Sequence, residues 1–425
     1  MKKIYCSLVI LFFAFATNAQ WVQVPNGMGV DQFVNCLAVK GSLVFAGTRS
    51  DGIFLTTNNG NNWNTVNNGL SVLNINMMSC DNIKIVAATV NGGLYISTNN
   101  GNVWNLSSNG MTDANIVSVL VKGSAIFAGT YDHGVFRSTN NGTTWVNCFS
   151  TARPFSLFAK DSYLFVGTIY NGVYRSSNNG VSWDTANTGL ENVSVFDFIS
   201  SENAIYAGTR KYSGSDTCGV FRSTDYGNSW FPANGGILTF DTVYALTNVG
   251  PNIFAGTKRG VFLSTNSGIN WIAINQGFTI LHHTTDLQIA NSYIFDATIN
   301  REGSLFGQSV WRRPLAEVIG IRTISTETPS AFSLTQNYPN PFNPTTKIRF
   351  AISGSSAAQT FLSVYDMLGR EISTLVNEEL KPGIYEAEWN ASSYPSGVYF
   401  YRLSVFQAGF AARSYVETKK MVLIR

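Results

Sequence analysis

One eight-residue phrase recurs six times and limits what this chain can fold into more than any other feature. It reads TTNNGNNW at 56–63, STNNGNVW at 97–104, STNNGTTW at 138–145, SSNNGVSW at 176–183, STDYGNSW at 223–230 and STNSGINW at 264–271. Its glycines, Gly60, Gly101, Gly142, Gly180, Gly227 and Gly268, stand 41, 41, 38, 47 and 41 residues apart. A period near 40 with several strands per unit is the mark of a propeller or solenoid, whose repeats bury apolar faces against their neighbours. The phrase itself encodes a turn. A hydroxyl and an Asn or Asp bond nearby backbone groups, Gly permits positive φ, and Trp restarts the chain as a strand. The turns are expected to rest on Asn58, Gly60 and Trp63; Asn99, Gly101 and Trp104; Asn140, Gly142 and Trp145; Asn178, Gly180 and Trp183; Asp225, Gly227 and Trp230; and Asn266, Gly268 and Trp271.

Each repeat holds more than the phrase. An apolar stretch precedes a strand ending in Thr, at Thr48, Thr89, Thr130, Thr168, Thr209, Thr257 and Thr298. A short loop leads to a Gly-Val-Phe-like strand, then to the boxed turn and a Trp strand. Four short antiparallel strands per unit describe a propeller blade. There are seven Thr-ended strands but six boxes, and the seventh unit stops at Val310-Trp311-Arg312 before Pro314. Its missing strand is expected at the other end, where Trp21–Met28 (WVQVPNGM) matches Trp104–Met111 (WNLSSNGM) in its Trp and its Asn-Gly-Met ending. The expected fold is all-β: a seven-bladed β-propeller over 20–315, closed by its N-terminal strand. A linker, 316–330, and a small Ig-like β-sandwich, 331–425, follow it. In that last part Tyr399, Tyr401, Leu403 and Val405 alternate, as a half-buried strand requires.

Residues 1–19 read as a signal peptide: Lys2 and Lys3, an apolar stretch from Ile4 to Ala16, then Thr17-Asn18-Ala19 before Gln20, with Ala14-Phe15-Ala16 as a competing cleavage site. No later stretch reaches ~18 apolar residues, so no transmembrane segment is expected in the mature chain. Apolar content of 44% with 12% charge argues against disorder. A net charge of +3 with no basic tract gives nucleic-acid binding no support. Cys36, Cys80, Cys148 and Cys218 are scattered through non-equivalent places, with no metal-ligand spacing, and leave the disulfide state open. No metal or cofactor is expected.

Two resemblances attach to these residues. The boxed phrase resembles the Asp-box, or BNR repeat, of sialidase-like propellers, and the repeats of photosystem II assembly-factor propellers and xyloglucan-degrading enzymes. Asn replaces the Asp in five of the six boxes. The resemblance implies rim turns away from any active site. The stretch 332–425 resembles the type A C-terminal sorting domain of the type IX secretion system, carried by FSLTQNYPNPFNPTTKIRF, VYDMLGRE, LKPGIYEAEWNA, PSGVYFYRL and KKMVLIR. It implies handling by that secretion machinery, a secreted or outer-surface location on a Gram-negative cell, and attachment to surface lipopolysaccharide after processing.

The mouth away from the boxes is where function is expected. Most second-to-third loops there are tiny, but blade five inserts 210–218 (RKYSGSDTC) and blade seven 299–308 (INREGSLFGQ). Insertions on one face of a repeat array mark its binding face. The expected ligand-binding residues are Arg210, Lys211, Tyr212, Lys258, Arg259, His282, His283, Arg301 and Phe306, suited to a glycan or a protein ligand. Glycoside hydrolysis needs two facing carboxylates. Among Asp31, Asp51, Asp113, Asp132, Asp241 and Glu302 no spacing singles out a pair, so no catalytic residue is assigned. The leading reading is a binding or adhesion module that is not an enzyme, and the alternative is a glycoside hydrolase of sialidase-like or xyloglucanase-like type.

Overall fold

The computed structural model describes residues 20–424 apart from 30–31, 151–152, 191–192, 202, 212–217, 236–240, 279–281, 300–308, 316–317, 319–320, 326, 392–393 and 407–413. The signal-peptide expectation lies outside the described residues. What is described is β structure throughout, arranged as nine four-stranded sheets.

Seven of these sheets follow one another along the chain. Their first strands are Val34–Lys40, Ile75–Cys80, Ile116–Lys122, Pro154–Lys160, Val193–Ser201, Val243–Val249 and His283–Ala290. In the first six, the strands pair antiparallel in sequence order. The seventh takes its fourth strand from the start of the chain: Val22 pairs with Arg312 and Gln23 with Trp311. Each first strand packs beside that of the next sheet, and the seventh packs beside the first. The closing strand is anchored as the others are. Trp21 is buried, its Nε1 donates to the Ile274 carbonyl at 2.6 Å and its backbone N–H to Gln276 O at 2.7 Å. Trp104, Trp230 and Trp271 make the same indole bonds to Val66, Ala186 and Ala233 of the preceding unit.

The boxed turns explain why these strands pack in this order. In every box the Ser or Thr hydroxyl accepts the Gly N–H four residues on, at 2.8–2.9 Å, and donates to the Asn or Asp Oδ1 two residues on. Two successive residues are left-handed, not the Gly alone: Asn59, Asn100, Asn141, Asn179, Tyr226 and Ser267 have φ of 55–60° just before their glycines. Asn tolerates that conformation best, which accounts for the NNG spelling in four boxes. The carbonyl of this left-handed residue is then latched from the preceding unit. Arg137 donates to Asn179 O and Arg175 to Tyr226 O, Arg312 reaches Asn59 O, and Arg222 reaches Ser267 O through the Tyr206 hydroxyl.

The remaining two sheets enclose a separate core. One has strands 321–325, 383–390, 345–352 and 333–334; the other has 371–380, 358–365, 397–406 and 414–423. Tyr399, Tyr401, Leu403 and Val405 all face this core, with Phe350, Trp389 and Met421. Buried Asn337 fixes the NYPNP stretch. Its N–H donates to the Tyr401 hydroxyl and its Nδ2 to Pro339 O and Thr346 Oγ1, while Tyr338–Pro339 and Asn340–Pro341 are cis. The stretch expected as a linker contributes Ile321–Ser325, which pairs with Gly383–Asn390, so the linker reading does not describe 321–325. Its Thr- and Ser-containing sequence carries no strand signal, and the pairing is non-local.

Candidate functional site

The second-to-third connections share one construction. The Thr at or near the end of each second strand donates its hydroxyl across the loop, at 2.7–3.1 Å, to the carbonyl of Gly52, Gly93, Gly134, Gly172, Gly219, Gly260 or Ser309. Three or four residues are spanned in five units, but ten in the fifth and eleven in the seventh. The insertions therefore grow from an unaltered hairpin base.

Of the residues expected there, Arg210 and Lys258 are exposed. Arg259 is exposed too, but its Nε is held at 2.8 Å by Asp241, whose carboxylate is buried. Lys211 ends its strand with its side chain outside the described residues, and Tyr212, Arg301 and Phe306 also lie outside them. The two histidines point apart, as adjacent residues on a strand do. His282 cannot present itself to a ligand: it is buried, stacked on Trp311 (5.3 Å, 20°), edge-on to Phe278, with Nε2 3.3 Å from Asp296 Oδ2. It belongs to the seam around Trp21, which stacks on Phe278 at 5.0 Å. His283 instead turns to the axis, 3.9 Å from the Tyr244 ring.

The axis holds a cavity of about 360 Å³ built by an irregularity common to all seven units. Pairing of each first strand with its second slips by one residue, at Asn35, Asn76, Val117, Phe155, Phe196, Tyr244 and Thr285. A bulged residue is left unpaired and re-aimed, and here all seven line the cavity. The ring is two-sided. Phe155, Phe196 and Tyr244 follow one another edge-to-face, with centroids 5.0 and 5.3 Å apart. On the other arc, Asn35 donates to Ile75 O, Asn76 to Ile116 O and Thr285 to Val34 O, each reaching the next unit.

Two carboxyl groups also line the cavity. Asp197 accepts the N–H of Leu246 at 2.7 Å and of Phe198 at 2.8 Å; Asp286 accepts the N–H of Leu37 at 2.7 Å. Enclosure by protein pushes Asp197 up to about 8 and Asp286 up to about 7, against the backbone N–H groups that favour the ionised forms. Charge on Asp286 adds to the rise at Asp197, and charge on Asp296 to that at Asp286. Asp197 is partly open to the channel itself, yet still surrounded by protein on every side, and the polar framework around it does not offset the lost hydration. These axial residues were not among those expected from sequence. The signal was present near the start of each first strand, in the second residue of VNCL, INMM, IVSV, PFSL, VFDF, VYAL and TTDL, which departs from strict alternation.

Among the described residues Cys36, Cys80 and Cys148 are free thiols. Among the described residues no helix is long and apolar enough to cross a membrane.

The secretion system C-terminal sorting domain family matches residues 336–420. A search of curated proteins found no match. Among solved structures, the chain is similar to PorZ, a surface component of the type-IX secretion system of Porphyromonas gingivalis, at 14% identity and TM-score 0.53, covering 94% of this chain and 60% of that one. It is also similar to a GH74 xyloglucanase from Xanthomonas campestris (13%, TM-score 0.53, 84% and 63% covered) and to YCF48 bound to D1 peptide (10%, TM-score 0.54, 70% and 96%). This chain thus spans about three fifths of the length of the first two. At such identities the likeness is one of fold. The chain is an all-β, propeller-like protein with a C-terminal sorting domain of the type IX secretion system, and it is secreted or displayed at the cell surface.

Proposed function

We propose that the protein is an exported binding module: a seven-bladed propeller over residues 20–315, delivered by an Ig-like sorting sandwich at its C-terminus. The propeller meets a glycan or protein ligand on the mouth away from the boxes, at Arg210, Lys211, Tyr212, Lys258, Arg259, His283, Arg301 and Phe306. The observation that carries this reading is the pair of insertions on the fifth and seventh hairpins, both on one face, above Thr–carbonyl bonds that the short loops also make. A segment grafted on an intact frame is free to serve a ligand rather than the fold. After leader removal at residue 19 and transport, the sorting domain is processed and the passenger is attached to surface lipopolysaccharide. A glycan array with the triple substitution of Lys258, Arg259 and Arg301 tests the face: ligand binding is lost, and retention at full strength would refute the assignment. Deleting 332–425 should leave the passenger in the periplasm, and normal surface display would overturn the export route.

A second reading, glycoside hydrolysis, is favoured by one observation, the two axial carboxyl groups whose protons are held into the neutral range. Both are engaged with backbone amides of the next unit, which makes them framework groups first. Reducing sugar released in a hydrolysis screen and abolished by Asp286→Asn would replace the binding reading with this one.

A further inference from the structure

The axial cavity has three properties that belong together, and the loop-face reading uses none of them. Among the described residues its lining has no lysine or arginine, yet it has Asp197 and Asp286. Phe155, Phe196 and Tyr244 stand at 73° and 65° to one another, so adjoining rings form adjoining walls. On the opposite arc Asn35 and Asn76 each commit one Nδ2 hydrogen to a backbone carbonyl, and Thr285 commits its hydroxyl. Each amide thereby keeps its Oδ1 acceptor, and one further N–H, for a ligand.

We propose that this channel is a binding site for an organic ammonium cation. The faces of Phe155, Phe196 and Tyr244 receive its methyl or methylene groups, and Asp197, Asp286 and the two Asn carbonyl oxygens supply charge and acceptors. Ring faces attract cations, and do so most strongly where water is excluded. An anion finds no lysine or arginine here. A neutral sugar brings no positive charge for the two carboxyl groups to meet. The volume lies at the small end of ligand sites and suits a trimethylammonium head or a lysine side chain. Binding also relieves the enclosure of the two acids, because a cation beside them replaces the carboxyl protons. The titratable groups around them are His283 and Tyr244 in the same lining, with Asp296 and Cys36 beside Asp286. Occupancy should therefore release protons near pH 7.

The test is isothermal titration of the full secreted chain at pH 7, in two buffers of different ionisation enthalpy. The probes are tetramethylammonium chloride and a capped lysine peptide, with glucose as the neutral control. Saturable binding of at least one cation with net proton release is expected, weakened about tenfold or more by Asp286→Asn and by Phe196→Leu, a loss of the size one cation contact supplies. Tighter binding of tetramethylammonium identifies a small quaternary ammonium compound as the ligand class; tighter binding of the peptide identifies a polypeptide. Asp286 also holds the Leu37 N–H, so the two-buffer measurement on the unmodified chain decides the matter even where a variant misfolds. No saturable heat from either cation at concentrations on the order of 10 mM, or binding of glucose in their place, overturns the proposal. The outcome is independent of the loop-face substitutions, which leave the channel intact.

Discussion

Replacing Trp21 by Ala should open the seam between the two ends of the seven-sheet array. The side chain is 2% exposed, stacks on Phe278 and fills the core formed with Leu287, Ile294 and Trp311. Removing a buried Trp costs roughly 3–5 kcal/mol in lost transfer energy and residual cavity. No further penalty for an orphaned carbonyl applies, because Ile274 O keeps a second donor, Arg313 Nη1 at 2.8 Å. The backbone bond from residue 21 to Gln276 O also survives in Ala. The assay is denaturant unfolding combined with amide hydrogen exchange, since repeat arrays need not unfold in one step. Trp104→Ala should cost a similar amount and loosen the first and second sheets. Trp21→Ala should loosen 272–276, 283–299 and 310–314, residues 251 to 293 positions away in sequence. A Trp21→Ala protein within about 1 kcal/mol of the parent, with exchange unchanged in the seventh sheet, would refute closure by the N-terminal strand.

Other expectations follow from the same contacts. Ser138→Ala strips the buried Gly142 N–H of its acceptor and should cost about 1–3 kcal/mol in thermal or chemical unfolding. Asn140→Asp should stay within about 0.5 kcal/mol, because Asp225 already makes the equivalent bonds in the fifth box. Gly189→Ala places a Cβ 2.1 Å from the Trp230 carbonyl oxygen, at φ +86, and should lower stability by more than about 3 kcal/mol. Gly41→Ala, at φ +61 with nothing within 4 Å, should cost only about 1–2 kcal/mol of backbone strain. Folded Asp197 and Asp286 keep their protons to about 8 and about 7, whereas the unfolded chain loses them near about 4. The folded state binds more protons across that window, so their contribution to stability falls as pH rises from about 4 to about 8. Asp286→Asn should flatten that decline in a pH series of unfolding midpoints, and an unchanged slope would contradict the assignment.

The repeat was legible because its marks are local. A hydroxyl, an Asn, a Gly and a Trp in eight residues specify their own hydrogen bonds, and Trp21 could be matched to Trp104 by the same token. The strand Glu371–Leu380 was not legible. Its partner slips register at Leu362/Ser363 and Val364/Tyr365, and Leu375 and Val376 are buried side by side, which no alternating pattern shows. Strand 321–325 was hidden for the opposite reason, since only its distant partner makes it a strand.

The axial ring shows how far such reading reaches. A bulge moves one residue off the period of its strand, so Phe155, Phe196 and Tyr244 look in sequence like further core aromatics, and Asn35 and Asn76 like turn residues. Their common position appears only when seven first strands are set side by side around an axis. The loop insertions announce themselves by length, but length says only that the frame tolerates them. The bulged residues are different, because each sits in the same register slip and yet seven units place there two amides, three aromatic rings, a Val and a Thr. The slip itself serves the packing of seven sheets around an axis; the choice of side chain at it does not follow from that packing. Where the frame repeats and the side chains do not, chemistry specific to this chain has room to reside.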